Sequence, residues 1–129
     1  DSREPGERLP SNMAPTVARS NDAIMAIGSP GADRITTAIH QVLVNTLQFD
    51  MPLDEAIAHP RVHVDTTGDT DQLRVEPGLD MPALELPLYS FPDINMYFGG
   101  VSVATFDRRK GFEVAADARR EGGVFLSDA

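Results

Sequence analysis

Among the residues able to do chemistry, the run Gly28-Ser29-Pro30-Gly31-Ala32-Asp33-Arg34 comes first, because a strongly apolar-periodic stretch follows it directly. If Ser29 caps a helix there, Pro30 takes the first helical position, where its missing N–H costs nothing. The amides of Gly31 and Ala32 then fall in the first turn and lack an intrahelical partner. Two such donors at the positive end of a helix suit a negative charge, including the oxyanion of an acyl-transfer intermediate. Gly31, without a side chain, would allow close approach. The competing register makes Asp33 the cap and leaves the glycines as a plain connector, their ordinary use.

Other polar groups carry weaker signals. Ser11 and Asn12 sit between Pro10 and Pro15. Together they offer donors and acceptors to a polar substrate group, or they complete a local side-chain turn. His59 and His63 stand four apart with Asp65 beyond. That spacing converges on a metal only in a helix, and Pro60 disfavours helix at His59. In an extended segment His63 and Asp65 share a face. A structural role is expected for both histidines, and His40 reads as a helix-surface residue. Asp65, Asp69 and Asp71 do not match the spacing of a calcium loop, so a solvated acidic loop is expected. Near the C-terminal end, Asp117 with Arg119, and Arg120 with Glu121, are candidate surface ion pairs contributing roughly 0–1 kcal/mol each. No nucleophile with a recognisable base is present, so the reacting group of an enzyme of this kind would lie outside these residues.

The elements that must position these groups follow from pattern. The 129 residues are 41% apolar and 24% charged, the composition of a soluble globular chain. Eleven basic against twenty acidic side chains give a formal charge of −9, which opposes nucleic-acid binding. There is no cysteine, so disulfides and thiolate chemistry are excluded. No stretch approaches the roughly 20 apolar residues of a membrane-spanning helix. The polar start does not read as a signal peptide. Residues 1–12 read as an irregular lead-in. Runs 13–20 and 23–29 around Asn21-Asp22 predict a hairpin, and 99–106 with 112–117 predict a second. Ile35, Ala38, Ile39, Val42, Leu43 and Leu47 mark one buried face of a helix over 33–49. A short helix ending before Pro60, two short strands at 61–64 and 73–75, and a single helical turn within 80–98 complete an α+β reading.

Taken in order, the motifs resemble those of the γ-glutamyltransferase family. "RLPSNMAPT" is similar to the family's "RPLSSMSPT", and "GSPGADRI" to its "GSPGGSRI". "AIAHPRVH…LRVE" resembles "A…APRFH…LRVE", and "AADARREGG" resembles a "DPRxxG" stretch. The likeness spans residues 8 to 123.

The resemblance implies an N-terminal-nucleophile hydrolase with a four-layer αββα sandwich, of which residues 1–129 form the C-terminal part of the small subunit. It implies a precursor that cuts itself, exposing an upstream threonine whose hydroxyl is the nucleophile and whose amine is the base. The implied substrates are glutathione and related γ-glutamyl amides, and no cofactor is expected. The implied partners are the large subunit and the rest of the small one, in a periplasmic or extracellular setting. By the same match, Ser11 and Asn12 would bind the α-carboxylate end of the γ-glutamyl group. Gly31 and Ala32 would supply the oxyanion hole. Asn12 stands where the family has serine, and Ala32 where it has glycine, which is penalised if that position needs a positive φ. An acylase of the same family acting on glutaryl-type β-lactam side chains, or a non-catalytic relative, are the alternatives. The isolated chain is expected to be inactive.

Overall fold

The computed structural model describes residues 4–8 and 11–127. Residues 1–3, 9, 10, 128 and 129 lie outside them, and with them part of the lead-in and of the "RLPSNMAPT" stretch.

The first hairpin forms as the pattern predicts. β1 (Thr16–Arg19) pairs antiparallel with β2 (Ala23–Gly28), and the Ser20 hydroxyl accepts the Ala23 amide at 3.0 Å across the turn. β2 also pairs with β6 (Ser102–Asp107), which turns back into β7 (Gly111–Ala116). At that turn Asp107 Oδ1 accepts the amides of Arg109 and Lys110, and Gly111 takes a φ of +82°. The result is a four-stranded antiparallel sheet in the order β1-β2-β6-β7.

The helix α1 (Ile35–Gln48) crosses one face of this sheet, with α2 (Leu53–Ala58) beside it. Ile35, Ala38, Ile39 and Val42 of α1 and Leu53, Ala56 and Ile57 of α2 meet Met25, Ile27, Val103 and Ala115 of the sheet. Each large apolar side chain so buried contributes about 1.5–3 kcal/mol. Leu47 departs from the periodic expectation. It is 63% exposed, because α1 has by then reached the open sheet edge near Ala18 and Ile24.

A smaller sheet joins β3 (Val62–Asp65) antiparallel to β4 (Gln72–Val75), with β5 (Leu88–Ser90) added in parallel. Gln41 of α1 docks on it like a strand residue. Its Nε2 donates to the Val62 carbonyl and its Oε1 accepts the Val62 amide, each at 2.9 Å. The region 80–98 corrects the expectation of one helical turn alone. The turn exists at Met96–Phe98, but β5 precedes it. A three-residue strand between prolines has no pattern to announce it, and only the partner β4 makes it one.

The second face of the four-stranded sheet is apolar and, among the described residues, uncovered around Ile24 and Phe106. Val17 (68%) and Phe112 (66%) stand exposed there beside Ile24 and Phe106.

Candidate functional site

The turn before α1 differs from both predicted registers. Neither Ser29 nor Asp33 caps the helix. A 3₁₀ turn (Ala32–Arg34) leads into α1, and Gly31 stands at its start with φ +136°. Ala32 follows at φ +50°. Two successive residues in the positive-φ region bend the backbone in a way no cap signal in the sequence encodes. The availability of the two amides survives the change of register. Among the described residues, the amides of Gly31 and Ala32 donate no hydrogen bond, while the Arg34 amide closes the turn onto the Gly31 carbonyl at 3.0 Å. Ala32 is exposed and Gly31 half-exposed, so both donors lie at an accessible helix entrance.

The positive φ of Ala32 carries a cost of about 1–2 kcal/mol for a residue with a Cβ. Ala32→Gly removes that cost and adds back some unfolded-chain entropy. In the complete protein it is expected to leave stability unchanged or raise it by up to about 1 kcal/mol, read from denaturant midpoints. A loss beyond that would contradict the strain.

Asn12 comes to the same place from a different direction. Its Nδ2 donates to Asp33 Oδ1 at 2.6 Å, next to Ala32. Ser11 does not converge in the same way, since its hydroxyl accepts the Met13 amide at 3.3 Å and completes a local turn. Both residues are exposed.

Behind this surface lies a buried charge cluster, which takes in Asp117 and Arg119, the pair that reading the residues alone places on the surface. Arg119 pairs with Glu76 through Nη2 and with Asp117 Oδ1 at 3.1 Å, and Arg61 pairs with Asp117 Oδ2 at 2.6 Å. All four side chains are at most 2% exposed. Most of the remaining valences go to backbone, while the buried Arg61 Nε has no partner among the described residues. Arg61 donates to the carbonyls of Ile57 and Phe98, and Arg119 to those of Ile57 and His59. Glu76 accepts the amides of Arg61 and Asn95, and Asp117 accepts those of Val101 and Arg119. Burial pushes the Asp117 carboxyl up, but the Arg119 amide and the Arg61 guanidinium outweigh it and hold it below the usual range. Arg120 donates to the Met96 carbonyl at 3.3 Å instead of pairing with Glu121.

The family model for gamma-glutamyltranspeptidase matches residues 1–127. The chain belongs to the γ-glutamyltranspeptidase family. It is 35% identical over 124 residues to the glutathione hydrolase proenzyme of Pseudomonas aeruginosa, covering 92% of this chain and 22% of that relative. It is 42% identical over 59 residues to the acylase ACY 1 proenzyme of Pseudomonas sp. strain SE83, covering 45% of this chain and 11% of that protein. Among solved structures, the γ-glutamyltranspeptidase from Pseudomonas nitroreducens complexed with L-DON superposes with a TM-score of 0.77 at 26% identity. That match covers 98% of this chain and 68% of that one. The expected α+β fold is therefore that of the N-terminal-nucleophile hydrolases. The described residues supply one helical layer and one sheet of its sandwich, with the smaller sheet beside them. These residues span about a fifth of the length of the glutathione hydrolase relative.

Two histidines of this γ-glutamyltranspeptidase-family chain are held by local contacts, and His40 is exposed on α1 as expected. His63 Nδ1 lies 3.0 Å from Thr37 Oγ1, and its ring meets Tyr97 edge-on. His59 Nδ1 lies 3.1 Å from the Pro60 carbonyl oxygen. His63 and Asp65 share a face of β3 as expected, both reaching Tyr97. Asp65, however, is drawn out of the solvated loop. It accepts from Thr67 Oγ1 and amide, from Arg74 Nε at 2.6 Å and from the Tyr97 hydroxyl. The Thr67 bonds first, then Arg74 and Tyr97, hold its carboxyl far below the usual range. Asp69 and Asp71 remain exposed.

Burial, and then the Arg34 charge, lower the pKa of His63 below its ordinary 6.5. As pH falls through about 6.5 the unfolded chain takes up a proton that folded His63 resists, so stability declines toward acid. The thermal midpoint of the complete protein is expected to drop between pH 7 and 5, and less steeply in His63→Gln. Parallel profiles for the two would remove His63 from the account.

Reading the residues alone assigns no chemistry to Arg61, Glu76, Arg34 or Gly99, and gives Ser29 only as a cap. The available signal was an arginine and an acid inside apolar runs, "HPRVHV" and "LRVEPG". Charges so placed are buried only when paired.

Proposed function

We propose that the complete protein transfers a γ-glutamyl group from glutathione or a related amide to water or an amine. In this reading residues 1–129 form the C-terminal part of its small subunit. The observation that carries the proposal is the pair of unpartnered amides at Gly31 and Ala32, at an accessible helix entrance that Asn12 also reaches. Family membership supports the acyl-transfer class, and the naming of the relatives as proenzymes supports a precursor that is cut into two chains.

The chemistry then runs as follows. An upstream N-terminal threonine attacks the γ-carbonyl carbon, and its own amine accepts the hydroxyl proton. The carbonyl oxygen becomes an oxyanion and takes hydrogen bonds from the Gly31 and Ala32 amides, with the positive end of α1 behind them. Collapse expels the amine, which recovers the proton, and leaves an acyl ester on the threonine. Water or an acceptor amine repeats the steps in reverse. By the family resemblance Ser11 and Asn12 would hold the far end of the acyl group, which requires the Ser11 hydroxyl to turn from the Met13 amide toward substrate. Residues 1–129 lack the nucleophile and are inactive by themselves.

A second reading, an acylase for glutaryl-type side chains, is favoured by the match to acylase ACY 1 and by Asn12, whose amide is tied to Asp33 rather than offered as a hydroxyl.

The test is an intact-mass spectrum of the purified complete protein, followed by p-nitroaniline release. Two chains, the smaller starting with threonine, and release from γ-glutamyl-p-nitroanilide support the first reading. Release from glutaryl-p-nitroanilide alone supports the second. A single uncut, inactive chain would sink both.

A further inference from the structure

The Arg34 amide closes the Gly31–Ala32 turn onto the Gly31 carbonyl, but the two residues' own side chains do nothing to fix its backbone. Gly31 has no side chain, and Ala32 occupies a backbone region that alanine disfavours. Oxyanion donors stabilise a developing charge only when they are fixed in place before it appears. Something must therefore fix these two.

The segment Met96–Gly100 does so from both flanks of the turn. On the first flank, the Ser29 hydroxyl accepts the amide of buried Gly100 at 3.1 Å and donates to the Pro30 carbonyl at 2.8 Å. On the second, Arg34 Nε donates to the Tyr97 carbonyl at 3.2 Å, and its guanidinium lies 4.6 Å above the Tyr97 ring. Gly99, at φ +89°, fits between the flanks. A side chain there would fall 2.7 Å from Ser29 Oγ and 3.0 Å from the Pro30 carbonyl oxygen. The Cβ that Gly31 lacks would sit 3.0 Å from Gly99 Cα, so the two backbones lie in direct apposition. The segment is itself anchored, since Arg120 holds the Met96 carbonyl and Arg61 the Phe98 carbonyl.

We propose that Ser29 and Arg34 are positioning residues that aim the Gly31 and Ala32 amides by clamping their turn onto the Met96–Gly100 segment. This rests on the acyl-transfer reading above. Neither residue forms a bond to the reacting atoms. Without the Ser29 hydroxyl the buried Gly100 amide is unpaired and the Pro30 carbonyl is free. The turn can then relax out of its positive-φ geometry and carry the donors with it.

The experiment is steady-state kinetics of the complete, processed protein on γ-glutamyl-p-nitroanilide. Ser29→Ala is expected to lower kcat roughly 10- to 100-fold, the scale of a misaligned catalytic group, with KM changed less than about twofold. Ser29→Thr, which keeps the hydroxyl, is expected to restore most of kcat. Arg34→Lys keeps the charge but loses the planar donor to Tyr97, and is expected to lower kcat in the same way. A folded Ser29→Ala with wild-type kcat overturns the proposal. If that variant does not fold, wild-type kcat in Arg34→Lys overturns it instead. A fall in kcat that Ser29→Thr does not rescue, accompanied by an equal rise in KM, also overturns it. Absence of amide cleavage by the wild-type protein is a different result, and sinks the acyl-transfer reading itself.

Discussion

Arg119→Met in the complete protein is expected to cost about 3–5 kcal/mol of folding stability, the largest single-site loss of stability anticipated. The size follows from what stays behind. The Arg61, Arg119, Glu76 and Asp117 side chains form a neutral set of two cations and two anions, almost wholly out of water. Removing one cation leaves Glu76 with backbone amides only, and Asp117 with one arginine for two oxygens. Adding Glu76→Gln to Arg119→Met is expected to recover part of the loss, because the stranded charge disappears with it. Chemical denaturation of the four proteins of this cycle gives the coupling directly. If the single variant costs less than about 1 kcal/mol, the cluster is not the buried network described here. Asp117 adds a pH signature. Its lowered pKa means that its stabilising share is complete above about pH 3.8 and is lost as acid carries the folded carboxyl through its titration.

Replacing the Gly31 amide by an ester is expected to reduce turnover about 10²–10³-fold, the usual effect of deleting one oxyanion donor. The substitution must be made in the backbone. Proline would also delete the N–H, but its φ is fixed near −65°, while Gly31 sits at +136°. Alanine would press its Cβ against Gly99. Glycolic acid at position 31, or lactic acid at 32, removes one donor and leaves the dihedral angles available. Single-turnover measurements with γ-glutamyl-p-nitroanilide would show the loss in the acylation step. Acylation at the wild-type rate in both esters would rule out these amides as the oxyanion hole.

The helix and both hairpins were legible because their signals are local. Ile35, Ala38, Ile39 and Val42 repeat at helical spacing, and Asn21-Asp22 and Arg109-Lys110-Gly111 punctuate alternating runs. The cap was misread for an equally physical reason. Serine before proline is a good local signal, but the Ser29 hydroxyl is claimed by Gly100, a residue 71 positions away. The buried cluster was hidden in the same way. Its four charges come from segments separated by up to 58 positions, with Glu76 and Arg119 facing each other 43 apart. Nothing in the neighbourhood of any one of them says that it will be dry. Asn12 was identified as a site residue, but its bond to Asp33 depends on the lead-in folding back over the turn.

The apolar face of the four-stranded sheet, uncovered among the described residues around Ile24 and Phe106, bears on how the proposed enzyme would lose activity. Val17, Ile24, Phe106 and Phe112 line a surface that a neighbouring layer of the sandwich must shield. Once a precursor is cut, no covalent link need return that layer to its place. Separation would then expose a greasy sheet that sticks to its own kind faster than it finds its former cover. For the proposed two-chain enzyme, loss of activity on heating is then a matter of how quickly the layers part, and its midpoint is expected to move with scan rate and with protein concentration.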